Sequence, residues 1–438
     1  MITFDDFDLI PQIHKTLAEL NYQQPTPIQS KAIPPALQGQ DVLGCAQTGT
    51  GKTAAFALPI LNRLGSKKVK AKPCKPIALV LAPTRELAIQ IDESLEAYGE
   101  RLQLRRALIY GGVGQFKQVK ALRRGAHVVI ATPGRLLDLM EQGYVDLRQL
   151  EFFVLDEVDR MLDMGFLPDL KRIISELPEK RQSLFFSATL PPAIRELANQ
   201  LLRDPCSVNV TPKKPSVKKI EQKVLLVDKR AKRETLSKML SSDNVDLSIV
   251  FTRTKRQADE LTKYLSKQDI RAAAIHGNKS QNARQRALTA FQEGKVHVLV
   301  ATDVASRGID IEGISHVFNY DVPVEPESYV HRIGRTGRAG KSGLAVTFCT
   351  RADLGALRAI ERLIGKKLMI TDKRQPRSRD EQRNRNSKRS EFKKFDKKRR
   401  AKGAQEEGNP ASPKVERSKK RKQRKGKNAR LRMKQASA

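Results

Sequence analysis

Residues 46–53 read AQTGTGKT, and the reading of this stretch decides the fold. Asp41 to Leu43, just before it, carry a short apolar strand signal. Ala54 to Leu61, just after it, read as a helix that Pro59 should end. Strand, glycine-rich turn and helix in that order form the setting of a phosphate-binding loop. Gly49 and Gly51 lack a Cβ, so the backbone can turn tightly and aim its N–H groups inward. Ala46, Gln47, Thr48 and Thr50 complete the turn, and the helix N-terminus adds partial positive charge. Lys52 can reach the outer phosphates of a nucleotide, and the Thr53 hydroxyl can ligate Mg²⁺. The general pattern G-x-x-x-x-G-K-[ST] asks for glycine where this chain has Ala46.

Outward from the loop, short apolar runs alternate with helical stretches. The runs are IALVLA (77–82), HVVIAT (127–132), FFVLD (152–156), SLFFSA (183–188) and CSVNV (206–210). Arg85 to Ala97 and Ile194 to Leu202 read as helices between them. Such alternation implies a parallel α/β sheet covered on both faces, with ligand-binding loops just past the carboxyl ends of the strands. Pro83-Thr84-Arg85-Glu86, Thr132-Pro133-Gly134-Arg135, Asp156-Glu157 and Ser187-Ala188-Thr189 all fall there. A second alternating block follows, with runs at 222–227, 247–252, 271–275, 296–302, 316–320 and 344–348 and no GKT loop of its own.

The sequence divides accordingly. Residues 1–31 hold Phe4 and Phe7, an amphipathic helix from about Pro11 to Leu20, and NYQQPTPIQ, in which Pro25 and Pro27 should hold Gln29 on a rigid turn. A glutamine so held can both donate to and accept from one edge of a purine. Residues 32–210 form the loop-bearing domain, 211–219 (TPKKPSVKK) a linker, 220–370 the second domain, and 371–438 a tail. The tail carries 27 Lys and Arg against 8 Asp and Glu, or +19 of the chain's net +35. With so few apolar residues it is read as disordered and as an arm for nucleic acid. The 438-residue chain is 39% hydrophobic, enough for real cores, and its charge points to polyanionic partners. No apolar run approaches the length of a membrane span, and no signal peptide is seen. The four scattered cysteines, Cys45, Cys74, Cys206 and Cys349, lack metal-ligand spacing and fit a reduced, cytoplasmic protein.

The candidate chemistry gathers at strand ends. Asp156 can hold the Mg²⁺ of a nucleotide, and Glu157 beside it can orient or deprotonate an attacking water. HRIGRTGR, 331–338, places Arg332, Arg335 and Arg338 three residues apart, near one helical face or around one turn. An arginine at a γ-phosphate is worth about 10³–10⁵ in rate. If this cluster faces Lys52, hydrolysis requires the two domains to close. Asp303 and Asp310, in TDVASRGID, can offer a carboxylate to a ribose hydroxyl.

These motifs, in this order, resemble those of the DEAD-box RNA helicases, and among them the bacterial RhlE-like group. The resemblance covers about residues 4 to 365 and implies two tandem RecA-like domains, with ATP and Mg²⁺ in the cleft and RNA across both. It implies that Phe4 packs on adenine and Gln29 reads it, that alanine at position 46 is ordinary, and that Asp310 touches the ribose. Asp156, Glu157, Val158 and Asp159 occupy the box that names the family, with valine where alanine is usual. Arg335 and Arg338 match the arginine fingers; Ser187 and Thr189, partnered by Asp159, match the motif that couples ATP state to unwinding. Asn21-Tyr22 stands where Gly-Phe is usual.

RNA contacts implied by the resemblance are Pro83, Thr84, Arg85, Gly111, Gly112, Thr132, Pro133, Gly134 and Arg135 in the first domain. In the second they are Gln281, Arg284, Thr302 and Arg307. Groups of these kinds touch phosphates and sugars, which carry no base information. Aromatic residues make up only 5% with no Trp, so a base-stacking platform is not expected. The implied activity is RNA-stimulated ATP hydrolysis that separates short duplexes locally and remodels RNA–protein complexes, with ribosomal or RNA-decay proteins as partners through the tail. A clamp in which ATP only gates affinity is the rival; intact Glu157, Arg335 and Arg338 argue against it. A translocating DNA helicase is a second rival, opposed by Gln29 with its upstream aromatic and by the HRIGR start.

Overall fold

The computed structural model describes residues 2–47, 49–67, 69–210, 220–242, 245–303, 313–337 and 342–372. Thr48, Arg307, Asp310, Arg338, the linker 211–219 and residues 373–438 of the tail lie outside the described residues.

The first lobe opens with α1 (Pro11–Glu19) and α2 (Pro27–Leu37) and continues through β1 (Val42–Cys45), α3 (Lys52–Lys67), β2 (Ala78–Leu81), α4 (Arg85–Tyr98) and β3 (Arg106–Ile109). It goes on through α5 (Phe116–Arg124), β4 (Val128–Ala131), α6 (Pro133–Glu141), β5 (Phe152–Leu155), α7 (Val158–Asp163), α8 (Leu167–Ser175), β6 (Gln182–Ser187), α9 (Pro192–Leu201) and β7 (Cys206–Asn209). The second lobe runs β8 (Ile220–Leu226), α10 (Lys232–Leu240), β9 (Leu247–Phe251), α11 (Lys255–Ser266), β10 (Ala272–Ile275), α12 (Gln281–Gln292), β11 (Val298–Ala301) and β12 (Ile314–Asn319). It closes with α13 (Pro326–Ile333), β13 (Gly343–Cys349), α14 (Leu354–Ile364) and β14 (Met369–Asp372).

Each lobe is built on a seven-stranded sheet, ordered β3-β4-β2-β5-β6-β1-β7 in the first and β10-β11-β9-β12-β13-β8-β14 in the second. The second order is the first with seven added to every strand number. All the pairings are parallel. Parallel strands bury both faces, which is why β2, β4, β5 and β11 read as unbroken apolar runs and are buried at every position. In the first lobe one apolar layer packs α2, α3 and α4 on one face of the sheet. A second layer packs α6, α8 and α9 on the other.

Three local expectations change. Pro59 does not end the helix after the loop: α3 continues to Lys67, with every residue from Ala54 to Leu61 buried. A mid-helix proline costs about 3 kcal/mol, and a helix packed on this many sides recovers it. Gln29 sits not on a turn but in the first turn of α2, which starts at Pro27, where a missing N–H is harmless. The boundary drawn at residue 370 falls inside β14, which pairs with β8 through Asp372.

Candidate active site

The loop after β1 is held open by named contacts. Gly49 and Gly51 take φ of +77° and +86°, a region that L side chains resist. A Cβ on Gly51 would also run into the Gln29 amide. Thr50 Oγ1 donates to the Gln47 carbonyl at 2.7 Å, and Ala46 N–H donates to the Ser187 carbonyl at 3.0 Å. Gln29 Nε2 donates to the Gly51 carbonyl at 3.1 Å, while its Oε1 accepts from Thr26 N–H at 2.8 Å. The amide that should face a base is thus oriented by the loop itself. Phe4 is 3% exposed, set edge-on against Phe7 and Tyr22, and so braces the same segment from within.

Lys52 is the first residue of α3 and is 5% exposed. Its Nζ lies 3.7 Å from Asp156 Oδ1 and has no hydrogen-bond partner among the described residues. A buried ammonium with unsatisfied donors, beside glycine-rich backbone at a helix N-terminus, fits the phosphates of a nucleotide. Burial pushes the Asp156 carboxyl up to about 6; the Lys52 ammonium pulls it down, and Glu157 adds to the rise. A cation shared with Thr53 would offset that burial and suits this carboxylate, so the residues present fit Mg²⁺.

Glu157 follows β5 in a left-handed backbone conformation, φ +55°. Its N–H donates to Asp156 Oδ1 at 2.9 Å, and its carboxylate takes a hydrogen bond from the Arg160 guanidinium one helical turn on. Arg160 has no role assigned from sequence; its i+3 spacing on a helix was the available signal. Val158 is fully buried in the second apolar layer and leaves the acids on either side in place. Asp159 Oδ2 accepts from Ala188 N–H at 3.1 Å, Thr189 N–H at 3.0 Å and Thr189 Oγ1 at 3.1 Å. Asp159 N–H in turn donates to Ser187 Oγ at 3.2 Å. The carboxyl ends of β5 and β6 are thereby tied into one unit with the loop that leaves β1.

In the second lobe Arg332 and Arg335 do not share one helical face, and Arg338 lies outside the described residues. Helix α13 ends at Ile333, so Arg332 lies on it and Arg335 beyond it. Arg332 forks onto Asp303 at 2.5 and 2.7 Å and donates to the Asp321 carbonyl at 2.7 Å. Asp303 is therefore engaged in an internal ion pair. Arg335 is 4% exposed and donates from Nε to the His331 carbonyl at 3.3 Å.

A groove of about 490 Å³ is lined by Pro83, Thr84, Arg85, Gly111, Thr132, Gly134 and Arg135 from the first lobe and by Arg284 from the second. Thr84 caps α4 through Leu87 N–H, Pro133 opens α6, and a Cβ on Gly112 would strike the Arg85 guanidinium. Thr302, at the end of β11, is buried, and it is not among the groove-lining residues. The groove is rich in unsatisfied cationic donors. Arg135 Nη1 and Arg284 Nε are buried without a hydrogen-bond partner among the described residues, although Arg135 Nε pairs with Asp138 and Arg284 Nη2 with Glu86, and burial with Arg284 nearby lowers the Arg85 pKa. Such crowding suits an anion. Sequence reasoning placed Glu86 at a strand end but gave it no role; its carboxylate accepts from Gln281 Nε2 and pairs with Arg284 Nη2, both at 3.0 Å, while Arg85 Nη1 donates to Gln281 Oε1 at 3.3 Å. In sequence it looks like any solvated helix-face acid.

Two family models match the sequence over these lobes: DEAD/DEAH box helicase over residues 26–197 and helicase conserved C-terminal domain over residues 231–340. The chain is 46% identical over 368 residues to the DEAD-box ATP-dependent RNA helicase CshA of Geobacillus kaustophilus, spanning 84% of this chain and 78% of that one. Its identity to the protein of the same name from Bacillus subtilis is 44% over 367 residues, spanning 84% and 73%. Among solved structures it is similar to Saccharomyces cerevisiae Dbp5 bound to RNA and ADP BeF3, with TM-score 0.74, 32% identity, and 84% and 95% of the two chains covered. It is also similar to the DEAD-box helicase Mss116 bound to ssRNA and UDP-BeF, with TM-score 0.77, 30% identity, and 87% and 81% covered.

Proposed function

The chain belongs to the DEAD-box helicase family, and we propose on that premise that it is an ATP-dependent RNA helicase. It hydrolyses ATP when RNA is bound, separates short duplexes locally and remodels RNA–protein complexes. The observation that carries this reading is the buried Lys52 ammonium at the start of α3, 3.7 Å from Asp156 and without a hydrogen-bond partner among the described residues.

In this reading ATP lies on residues 46–53 and Gln29 holds the adenine edge, with Phe4 behind it. Lys52 donates to β- and γ-phosphate oxygens. Thr53 and Asp156 hold Mg²⁺, which supplies charge to the outer phosphates. Glu157 takes the proton of the attacking water, with Arg160 fixing its carboxylate. Arg335 and Arg338 enter when the lobes close and neutralise charge on the transferred phosphoryl. Asp310 takes the ribose hydroxyl. Through the Asp159 bonds to Ala188 and Thr189, the nucleotide-bearing loops move with the carboxyl edge of β6.

RNA lies in the groove of Arg85, Arg135 and Arg284, continued by Pro83, Thr84, Gly111, Gly112, Thr132, Pro133, Gly134, Gln281, Thr302 and Arg307. It is held by sugar and phosphate and so without sequence preference. The domain bounds 1–31, 32–210, 220–372 and 373–438 with the linker 211–219, the RhlE-like grouping, a cytoplasmic site of action and ribosomal or RNA-decay partners complete the reading. Among the described residues no helix is long and apolar enough to cross a membrane.

The test is hydrolysis of ATP with and without RNA, alongside separation of a short labelled duplex. RNA-stimulated hydrolysis with strand separation supports the reading. ATP-gated RNA binding with neither activity would favour a clamp.

A further inference from the structure

Phe116 is 78% exposed at the first position of α5, four residues beyond Gly112. Its helix is not loosely placed. Gln118 Nε2 donates to the Tyr110 carbonyl at 3.0 Å, Gln115 Nε2 to Gln142 Oε1 at 3.2 Å, and Leu122 is buried. The fixed face of α5 therefore points inward through Gln118 and Leu122, and Phe116, Lys120 and Arg124, at i, i+4 and i+8, share the outward one. From Arg101 to Leu137 there are eight Lys and Arg and not one Asp or Glu. The whole chain has 48 acids in 438 residues, so a stretch of this length would ordinarily hold several. Within the same stretch lie Gly111 and Arg135, which line the groove between the lobes. An aromatic ring left in water, on a basic helix face free of acids and five residues in sequence from groove-lining Gly111, matches what single-stranded nucleic acid needs: a π-face for a base and cations for its phosphates.

We propose that Phe116 is a base-stacking post for RNA leaving the groove, with Lys120 and Arg124 taking the phosphates beside the stacked base. The proposal rests on the reading that the groove holds RNA and extends the footprint past it. It also revises the expectation that a chain so poor in aromatics would not stack bases. The contact is sequence-tolerant, because every base has a π-face.

The experiment measures binding of the full chain, with a non-hydrolysable ATP analogue, to oligouridylates lengthened one nucleotide at a time from either end. The wild type shows a step in affinity at the length that reaches Phe116. Phe116→Ala removes that step, raising Kd for the longer RNAs by roughly five- to a hundredfold, the range of one base–aromatic stack, and leaves the shorter RNAs unaffected. Phe116→Trp restores the step, and Phe116→Leu, apolar without a π-face, does not. Lys120→Gln makes the log–log salt slope shallower by about 0.7, one phosphate contact on a single strand, whereas Phe116→Ala leaves the slope unchanged. Equal binding of wild type and Phe116→Ala at every length, or full rescue by leucine, overturns the proposal and leaves Phe116 as a protein-docking residue. Failure of the groove reading looks different: Arg135→Ala and Arg284→Ala would then bind even the shortest RNA as the wild type does.

Discussion

The Gln281 side chain of the second lobe donates to the Glu86 carboxylate of the first at 3.0 Å, and both residues are buried. Arg284 pairs with the same carboxylate, so one acid collects two residues from across the cleft. Removing it releases Gln281 and Arg284 from the first lobe, so the contact that holds the two sides of the groove together is lost. A hydrogen bond to a charged group contributes about 1.5–3 kcal/mol. Glu86→Ala should therefore raise the RNA concentration for half-maximal ATP hydrolysis by roughly tenfold or more, without changing nucleotide affinity measured in the absence of RNA. An unaltered half-saturation point would mean that the Glu86–Gln281 bond breaks when RNA binds.

The phosphate loop and the acid pair separate binding from chemistry. Lys52→Ala should lose nucleotide binding, measured by titration with a fluorescent ATP analogue. Glu157→Gln should retain it and hydrolyse about 10²–10⁴-fold more slowly, the usual contribution of a general base. Normal turnover in Glu157→Gln would sink the assignment.

In the proposed mechanism the arginines of the second lobe act only after closure. Arg335→Ala and Arg338→Ala should each lower hydrolysis by about 10³-fold or more, while ATP still binds the first lobe. If both variants turn over normally, the second lobe does not complete the site.

Val158 is a packing residue between Glu157 and Asp159. Val158→Ala deletes two buried methyl groups, which destabilises by about 2 kcal/mol at ~0.8 per group with a small cavity added. The melting temperature should fall by a few degrees, as expected for a lobe of this size, with RNA-stimulated hydrolysis intact at lower temperature. A large loss of activity at full stability would show that the larger side chain tunes the acids.

The tail prediction is electrostatic. A chain cut after Asp372, which spares β14, should keep its maximal RNA-stimulated rate and need more RNA to reach it. Its salt slope should be shallower by about 0.7 for each phosphate that the tail neutralises in the full chain. Binding constants at several salt concentrations, with and without the tail, provide the check. Identical slopes would leave the tail to a protein partner.

Most central strands were legible because burial on both faces leaves uninterrupted apolar runs. Two edge strands were not. β3 alternates half-buried and buried residues and starts at Arg106, and β14 exposes Met369, so neither makes a run. Pro59 misled because packing around α3 outweighs one missing donor. The places of the glycine-rich turn after β1 and of the acids ending β5 were legible because a strand, a turn and a helix in that order are written locally. The contacts of Glu86 were not, since what buries it comes from a chain segment about 195 residues away. The split of Arg332 from Arg335 depended on where α13 ends, which spacing alone does not state.

The left-handed backbone at Glu157 narrows what evolution can put there. A non-glycine residue at φ +55° carries a local cost of about 1–3 kcal/mol, here met by the bonds to Asp156 and Arg160. Asparagine, aspartate and glycine tolerate that geometry; valine, isoleucine and threonine do not. A lineage abandoning hydrolysis would then drift at this position toward a small set of residues, glycine among them, and the drift itself would relieve strain. Any such change would also leave the buried Arg160 guanidinium without its acid, so position 157 sets backbone strain against a buried charge.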